Sequence, residues 1–290
     1  MEKNKFTVDV IIAAYNSHES IIKALASLSI QKINFPLNII VVDDGSKCDY
    51  KNEIDFFKST LNVKEVKLSK NSGAGVAKQF GLDNSNGDFV LFLDSDDVLF
   101  DSHSLQGLYN LVSDGDCDYA YGAVIFEEDG FRNILRGHDG CLHGKLYSRN
   151  LIQNNSIKFN TTRTSEDNSF NHLCLFNAKN IRNTQDVVYI YKDNKNTLTK
   201  GISVSKEIDN LIDYIDNIFY TVDNLDDKTN IDVLKYYVFC VNYAERQYRK
   251  IAETNPEEAN RIIDKLKELK DKTFYYSDSL LNEVKSMMQF

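Results

Sequence analysis

Long apolar runs are missing from this chain: no stretch of its 290 residues approaches the roughly 18 apolar residues needed to cross a bilayer. Cysteine is sparse and poorly arranged for a framework. The five cysteines, at 48, 117, 141, 174 and 240, are odd in number, widely spaced and form no CxxC pair. That argues against a disulfide scaffold or zinc ribbon and for reduced thiols in a cytoplasmic setting. With only 2 prolines and 13 glycines, collagen-like and low-complexity character are excluded. The opening MEKNKFTVDV passes from charge into a strand-like segment without the hydrophobic core of a signal peptide. Positive charge is also in deficit, 34 Lys and Arg against 43 Asp and Glu, for a net charge of −9. Such a balance disfavours coating a long polyanion but leaves room for a local basic groove. No GxGxxG or GxxxxGK[ST] element follows any strand-like run, so those two phosphate cradles are unsupported.

What is present is a 42% hydrophobic chain, long enough for one large domain or two modest ones, whose first half alternates two patterns. Val8 to Ala13 reads as a strand, and Ile21, Ile22, Leu25 and Leu28 follow at helical spacing. Ile39 to Val42 is a second strand, with a helical face at Ile54, Phe57 and Leu61. Val63, Val66 and Leu68 suggest a third strand, Gly75 to Leu82 a helix, and Phe89 to Leu93 a fourth strand. Near-continuous apolar strands alternating with helices predict a parallel sheet covered on both faces, where ligands bind beyond the carboxyl ends of the strands. Three polar clusters follow such ends: Ala14-Tyr15-Asn16, Asp43-Asp44 and Asp94-Ser95-Asp96-Asp97. The topology gathers them along one edge.

Asp94, Asp96, Asp97 and Asp101 must be accessible or compensated, because unpaired buried carboxylates are too costly. Mg²⁺ or Mn²⁺ is a natural compensator, taking one or two carboxylates together with phosphate oxygens. The plainer reading is that Asp94 or Asp97 caps a helix beginning near Ser102, or that the run is a solvated turn. Asp43-Asp44-Gly45-Ser46 reads in the same plain way as a tight turn at a strand end, or functionally as a carboxylate facing a nucleobase or ribose. Tyr15 is a packing aromatic or, beside such a carboxylate, a stacking platform.

These segments carry a resemblance. VDVIIAAYNSHESIIKALASLSIQ, IIVVDDGS and NSGAGVAKQFGLDNSNGDFVLFLDSDD, in that order, resemble the nucleotide-sugar-binding half of glycosyltransferase family 2, enzymes of the α/β GT-A fold with a mostly parallel, helix-covered sheet. Gly144 to Arg149, Glu166-Asp167-Asn168-Ser169-Phe170 and VVYIYKDNKNTLTK resemble later family elements, so the likeness spans about residues 6–200. It implies that Ala13, Tyr15 and Asp44 line the base pocket, that Asp94 and Ser95 lie by the ribose, and that Asp96 binds the metal, Mn²⁺ or Mg²⁺, with Asp97 in support. Asp167 would be the general base of an inverting transfer, Glu166 its structural neighbour. Lys78 stands where an arginine is common and would neutralise nucleotide charge; otherwise it is an exposed helix lysine. Without the family, Asp167 reads as a helix N-cap. Ala13 and Ala14 depart from the small polar or proline residues often seen there, and His143 replaces a frequent aromatic.

The implied partners are a nucleotide-sugar donor, a UDP-sugar first, and a hydroxyl acceptor on a surface glycan or lipid-linked precursor. His138 and His143 flank Cys141, but a tetrahedral zinc site wants four ligands and this loop offers three, so the stretch is read as bordering the acceptor cleft. His18, His103 and His172 read as surface or satisfied residues. From about residue 205 the pattern becomes wholly helical, dividing the chain into 1–204 and 205–290. Apolar stripes run through Ile208 to Val222, Val233 to Tyr248, Ala259 to Leu269 and Leu280 to Met288. This tail is expected to pack on the catalytic half or to mediate oligomerisation. Its Arg246, Arg249, Lys250, Arg261, Lys265, Lys267, Lys270 and Lys272 offer an alternative acceptor, a hydroxylated base in DNA, but they alternate with acids as on a solvated helix. A non-catalytic scaffold has no need of Asp44, Asp94, Asp96 and Asp167 together.

Overall fold

A strand rich in β-branched residues is buried near one end of the sheet, with helices on both of its faces. In the computed structural model, which describes residues 5–271 apart from 129, 138–139, 193–202 and 228–229, β1 (Val8–Ala14) pairs in parallel with β2 (Leu37–Asp43) and β4 (Phe89–Phe92), and β2 with β3 (Val63–Lys67). The intervening helices are α1 (His18–Ser29), α2 (Lys51–Phe57) and α3 (Ala74–Asp83). Val10 and Ile12 pack with Ile21, Leu25 and Leu28 of α1, while Ile11, Ile40 and Val42 meet Ala77 and Leu82 of α3 on the other face. Each such side chain contributes on the order of 1.5–3 kcal/mol by leaving water, which is why alternation is absent from these strands.

Asp9 interrupts the run. It is fully buried, yet it accepts bonds from Asn38 Nδ2 (2.8 Å), Asn86 N (2.8 Å) and Gly87 N (2.5 Å) and lies 3.4 Å from Arg149. A buried carboxylate supplied with donors in this way is affordable and pins the turn before β4.

The second half extends the sheet with β5 (Val98–Leu99), β6 (Tyr119–Glu128), β7 (Phe131–Leu135), β8 (Lys145–Ser148) and β9 (Ile181–Tyr191), in the order β3-β2-β1-β4-β8-β6-β9-β5 with β7 on β6. β8 is antiparallel to β4 and β6, so the Gly144–Arg149 segment serves as the seam between the halves. The helices here are α4 (Ser104–Val112), α5 (Arg149–Asn154) and α6 (Glu166–Asn177). α4 begins at Ser104 rather than Ser102, and neither Asp94 nor Asp97 caps it: Asp101 Oδ1 accepts from His103 N (2.8 Å) and Ser104 Oγ (2.9 Å).

The tail forms α7 (Val204–Asp223), α8 (Ile231–Thr254) and α9 (Pro256–Asp271). Ile208, Leu211, Ile215, Leu234, Tyr237 and Ile262 build a core of their own, but Leu225 and Val233 join Phe170 and Cys174 of α6. The tail therefore packs on the α/β half. Its expected last stripe, Leu280 to Met288, lies outside the described residues, as do His138 and Lys272 and most of the segment after Tyr191. Among the described residues no helix is long and apolar enough to cross a membrane.

Candidate functional site

The three polar clusters meet at one sheet edge, as the alternating pattern predicts. Register places Ala14 opposite Asp43 and Ile11 opposite Phe92, so the ends of β1, β2 and β4 lie side by side. Tyr15 projects there with 47% of its surface exposed, and Ala13 is half-buried. Asn16, at φ +50°, donates its N–H to Ser46 Oγ (2.9 Å) and accepts from Lys47 N (3.1 Å), locking the two turns together.

Asp43 and Asp44 divide their work. Asp43 accepts from Ser46 N (2.7 Å) and Lys67 Nζ (2.5 Å). Buried Asp44 takes Ser72 N on one oxygen (2.7 Å) and Gly73 N on the other (2.9 Å), so it fixes the loop entering α3. Burial raises its carboxyl above the usual range despite those donors. Each oxygen keeps a further lone pair for a ligand. Gly45, at φ +71°, is required: a Cβ would come within 2.4 Å of the Lys70 backbone.

Lys78 is not an exposed helix lysine. It is 4% exposed, its ammonium 2.7 Å from Asp167 Oδ1, 3.4 Å from Asp94 Oδ1 and 3.6 Å from Glu166 Oε1. Burial alone would lower its pKa, but Asp167, Asp94 and Glu166 together hold it well above the ordinary lysine value. Burial, with the charge of Asp167, pushes Glu166 up to about 8. Asp167 lies in the first turn of α6 and is not its N-cap; that place falls to Ser165 at φ +62°. One cation thus joins the β4 edge to the α6 terminus.

On the other side of Asp94 stands His143, which the sequence marks as a departure from the family and as part of a stretch bordering the acceptor cleft. It is 5% exposed, its Nε2 3.4 Å from Asp94 Oδ2 and 3.8 Å from Asp97 Oδ2, and its ring stacks on Tyr189 at 5.0 Å. Although burial opposes charging, Asp94 and Cys141 raise the imidazole pKa well above its usual value. Burial likewise opposes ionisation of Asp94, but Lys78 and His143 hold it well below the carboxylate range. Asp97 is 1% exposed and accepts from Tyr189 Oη (2.8 Å) and Lys192 N (2.7 Å); burial and the charge of Asp94 push it up to about 8. Sequence spacing held no signal that His143 or Tyr189 meets Asp94: the first arrives on the turn before β8 and the second on β9.

Asp94, Asp97 and His143 bring ligand-type atoms within 4.8 Å of one another. Two carboxylates and an imidazole are a donor set that Mn²⁺ accepts. Asp97 has both oxygens engaged, and Asp96 and Ser95 are half-buried on the same turn. The residues present therefore fit a divalent cation.

Four of the tail's eight candidate basic residues pair with acids among the described residues. Arg261 pairs with Asp209 (2.6 Å), Lys265 with Asp216, Arg249 with Glu245 (3.6 Å) and Lys267 with Asp264 (3.4 Å). That pairing gives no support to a DNA acceptor. His18 is held through Nδ1 by Glu53 (2.9 Å) and stacks on Tyr50, although its Nε2 is buried without a hydrogen-bond partner; His172 bonds the Asn168 carbonyl (2.8 Å).

The family model described as Glycosyl transferase family 2 matches residues 9–183. A relative in Staphylococcus aureus, poly(ribitol-phosphate) beta-N-acetylglucosaminyltransferase TarP, is 29% identical over 224 residues, covering 70% of this chain and 68% of the relative. Among solved structures, S. aureus TarS 1–349 in complex with UDP-GlcNAc superposes with a TM-score of 0.66 at 21% identity, covering 86% of this chain and 74% of that one. The mannosyltransferase PcManGT from Pyrobaculum calidifontis, in complex with GDP-Man and Mn²⁺, gives 0.60 at 14% identity, covering 98% and 84%. These last two likenesses establish the shared fold.

Proposed function

The chain belongs to glycosyl transferase family 2, and from that premise we propose that it is an inverting transferase moving a sugar from a UDP-sugar to a hydroxyl on a surface glycan or lipid-linked precursor. The observation that carries this reading is the apposition of Asp167 and Asp94 across Lys78, at 2.7 and 3.4 Å, on the edge where β1, β2 and β4 end. TarP uses N-acetylglucosamine on poly(ribitol-phosphate) by its name, which makes UDP-GlcNAc and a polyol-phosphate glycan the first pair to try.

In this reading Tyr15 stacks on the base, and Asp44 and the Ala13 backbone line its edge. Asp94 and Ser95 face the ribose, and Asp96 holds a Mn²⁺ or Mg²⁺ ion with Asp97 in support. A bound divalent cation supplies positive charge to the departing diphosphate. Asp167 takes the proton of the acceptor hydroxyl as its oxygen attacks the anomeric carbon from the face opposite the diphosphate. Lys78 holds Asp167 in place through the 2.7 Å contact of its ammonium with Oδ1. One base suffices, since a retaining route needs a second carboxylate as nucleophile.

The test is UDP release coupled to product formation. Asp167→Asn should bind donor but transfer nothing, and chelation or Asp96→Ala should abolish turnover. Unchanged turnover in Asp167→Asn would remove Asp167 as base. Activity that survives both chelation and Asp96→Ala would defeat the metal assignment.

A further inference from the structure

Although α7 belongs to the tail, two of its side chains hold the loop that delivers the proposed base. Asp213 Oδ2 accepts the N–H of Arg163 (3.1 Å), the N–H of Thr164 (3.0 Å) and the Thr164 hydroxyl (3.1 Å). One turn further, fully buried Asn217 donates to Thr162 Oγ1 (2.7 Å) and the Thr164 carbonyl (3.2 Å), and its Oδ1 accepts from Asn160 Nδ2 (3.3 Å). Of residues 160–164, only Thr161 lacks a bond to α7 among these contacts. The loop has no regular structure of its own, so these bonds stand in for a ladder.

The opposite side of the loop is shaped as tightly. Gly75 of α3 faces it, and a Cβ there would fall 2.9 Å from the Asn160 carbonyl oxygen and 2.7 Å from Glu166 Cγ. At its end Ser165 takes a left-handed conformation, and α6 begins at once with Glu166 and Asp167. In its middle, Arg163 reaches Asn71 Oδ1 (2.8 Å) beside Gly73, whose N–H is held by Asp44. A single loop therefore touches the rim of the base pocket and carries the carboxylate at the donor edge.

We propose that Asp213 and Asn217 are positioning residues for transfer: they fix the 160–165 loop from behind so that Asp167 stands beside Lys78 at the donor edge. The inference rests on the reading of Asp167 as base. A carboxylate gripping two backbone N–H groups and a hydroxyl is a strong, directional clamp. Displacement of a reacting group by about 1 Å can cost on the order of 100-fold in rate, so a loosened loop is felt in turnover.

The experiment compares full-length wild type, Asp213→Ala, Asp213→Asn and Asn217→Ser. Active-site concentration is set by UDP binding stoichiometry, and amide exchange of residues 160–167 is followed in parallel. Asp213→Ala should lower kcat by about 10- to 100-fold while donor KM stays within about threefold. Asp213→Asn, which keeps an oxygen facing the two N–H groups, should recover part of that loss. Amide protection should fall in the loop in all three variants. A kcat per donor-binding site equal to wild type in Asp213→Ala would overturn the proposal, because a purely structural role lowers melting temperature without touching kcat. If Asp213→Ala does not fold, Asp213→Asn and Asn217→Ser are read by the same criteria. If wild type transfers no sugar, the functional reading fails separately. Unchanged loop exchange in Asp213→Asn would then still overturn the clamp.

Discussion

Residue by residue, the site is a problem of charge compensation. Asp94, Glu166 and Asp167 converge on one ammonium, and removing it takes that cation from buried Glu166 and half-buried Asp167 and leaves Asp94 with His143 alone. Lys78→Met should therefore lower the unfolding free energy by about 3–5 kcal/mol, as for other broken buried pairs, read by urea denaturation at pH 7. A change below about 1 kcal/mol would mean the three carboxylates are compensated without Lys78. Asp43 gives a pH-dependent case away from this cluster. Burial opposes its ionisation, but Lys67 and Ser46 hold its pKa below the ordinary value of 3.8. A depressed folded pKa contributes stability that is present above 3.8 and is lost as pH falls through the lower folded value. Asp43→Asn should accordingly be less stable than wild type at pH 7, with the gap narrowing in denaturation series carried below pH 3.8. A constant gap would show that the loss came from the turn's geometry and not from charge.

Among the elements, α3 is the one whose placement decides the site. It carries Lys78, its entry loop is held by Asp44, and it approaches the 160–165 loop through Gly75. In an isolated helix, glycine to alanine is favourable by roughly 0.5–1 kcal/mol. Here the added Cβ meets a backbone carbonyl at 2.9 Å and Glu166 Cγ at 2.7 Å, and backbone cannot swing away. Gly75→Ala should thus be net destabilising by about 1–2 kcal/mol, the range of overpacked cores, and should slow transfer with it. A raised melting temperature would show that the loop yields freely.

For the molecule as a whole, the division at residue 204 marks a change of pattern rather than a gap in packing. Leu225 and Val233 share a core with Phe170 and Cys174, and Asn217 sits fully buried against the base loop. A protein cut after residue 204 should lose its cooperative thermal transition and bind a hydrophobic dye, since that face of α6 would be left open. A sharp transition with donor affinity intact would show that 1–204 folds by itself. The net charge of −9 likewise has an internal side, because several of its carboxylates are placed where Lys78, His143 and Lys67 meet them.

The sequence alone determined the alternating strands and helices, the three polar strand ends and their gathering on one edge. Those follow from local periodicity and from the topology of parallel sheets, which any β-branched run followed by a helical stripe obeys. It also held the order of motifs that mark the family. What lay beyond it was which charged groups become buried and what each meets there. Lys78 read equally as exposed or functional because an isolated helix lysine looks the same in either case; packing of α6, 89 residues away, buried it. His143 reached Asp94 across 49 residues and Asp213 reached Thr164 across 49, through strand and helix placements that spacing along the chain does not encode. Burial and ion pairing are set by what the tertiary structure brings opposite a side chain, so only the folded chain could decide them.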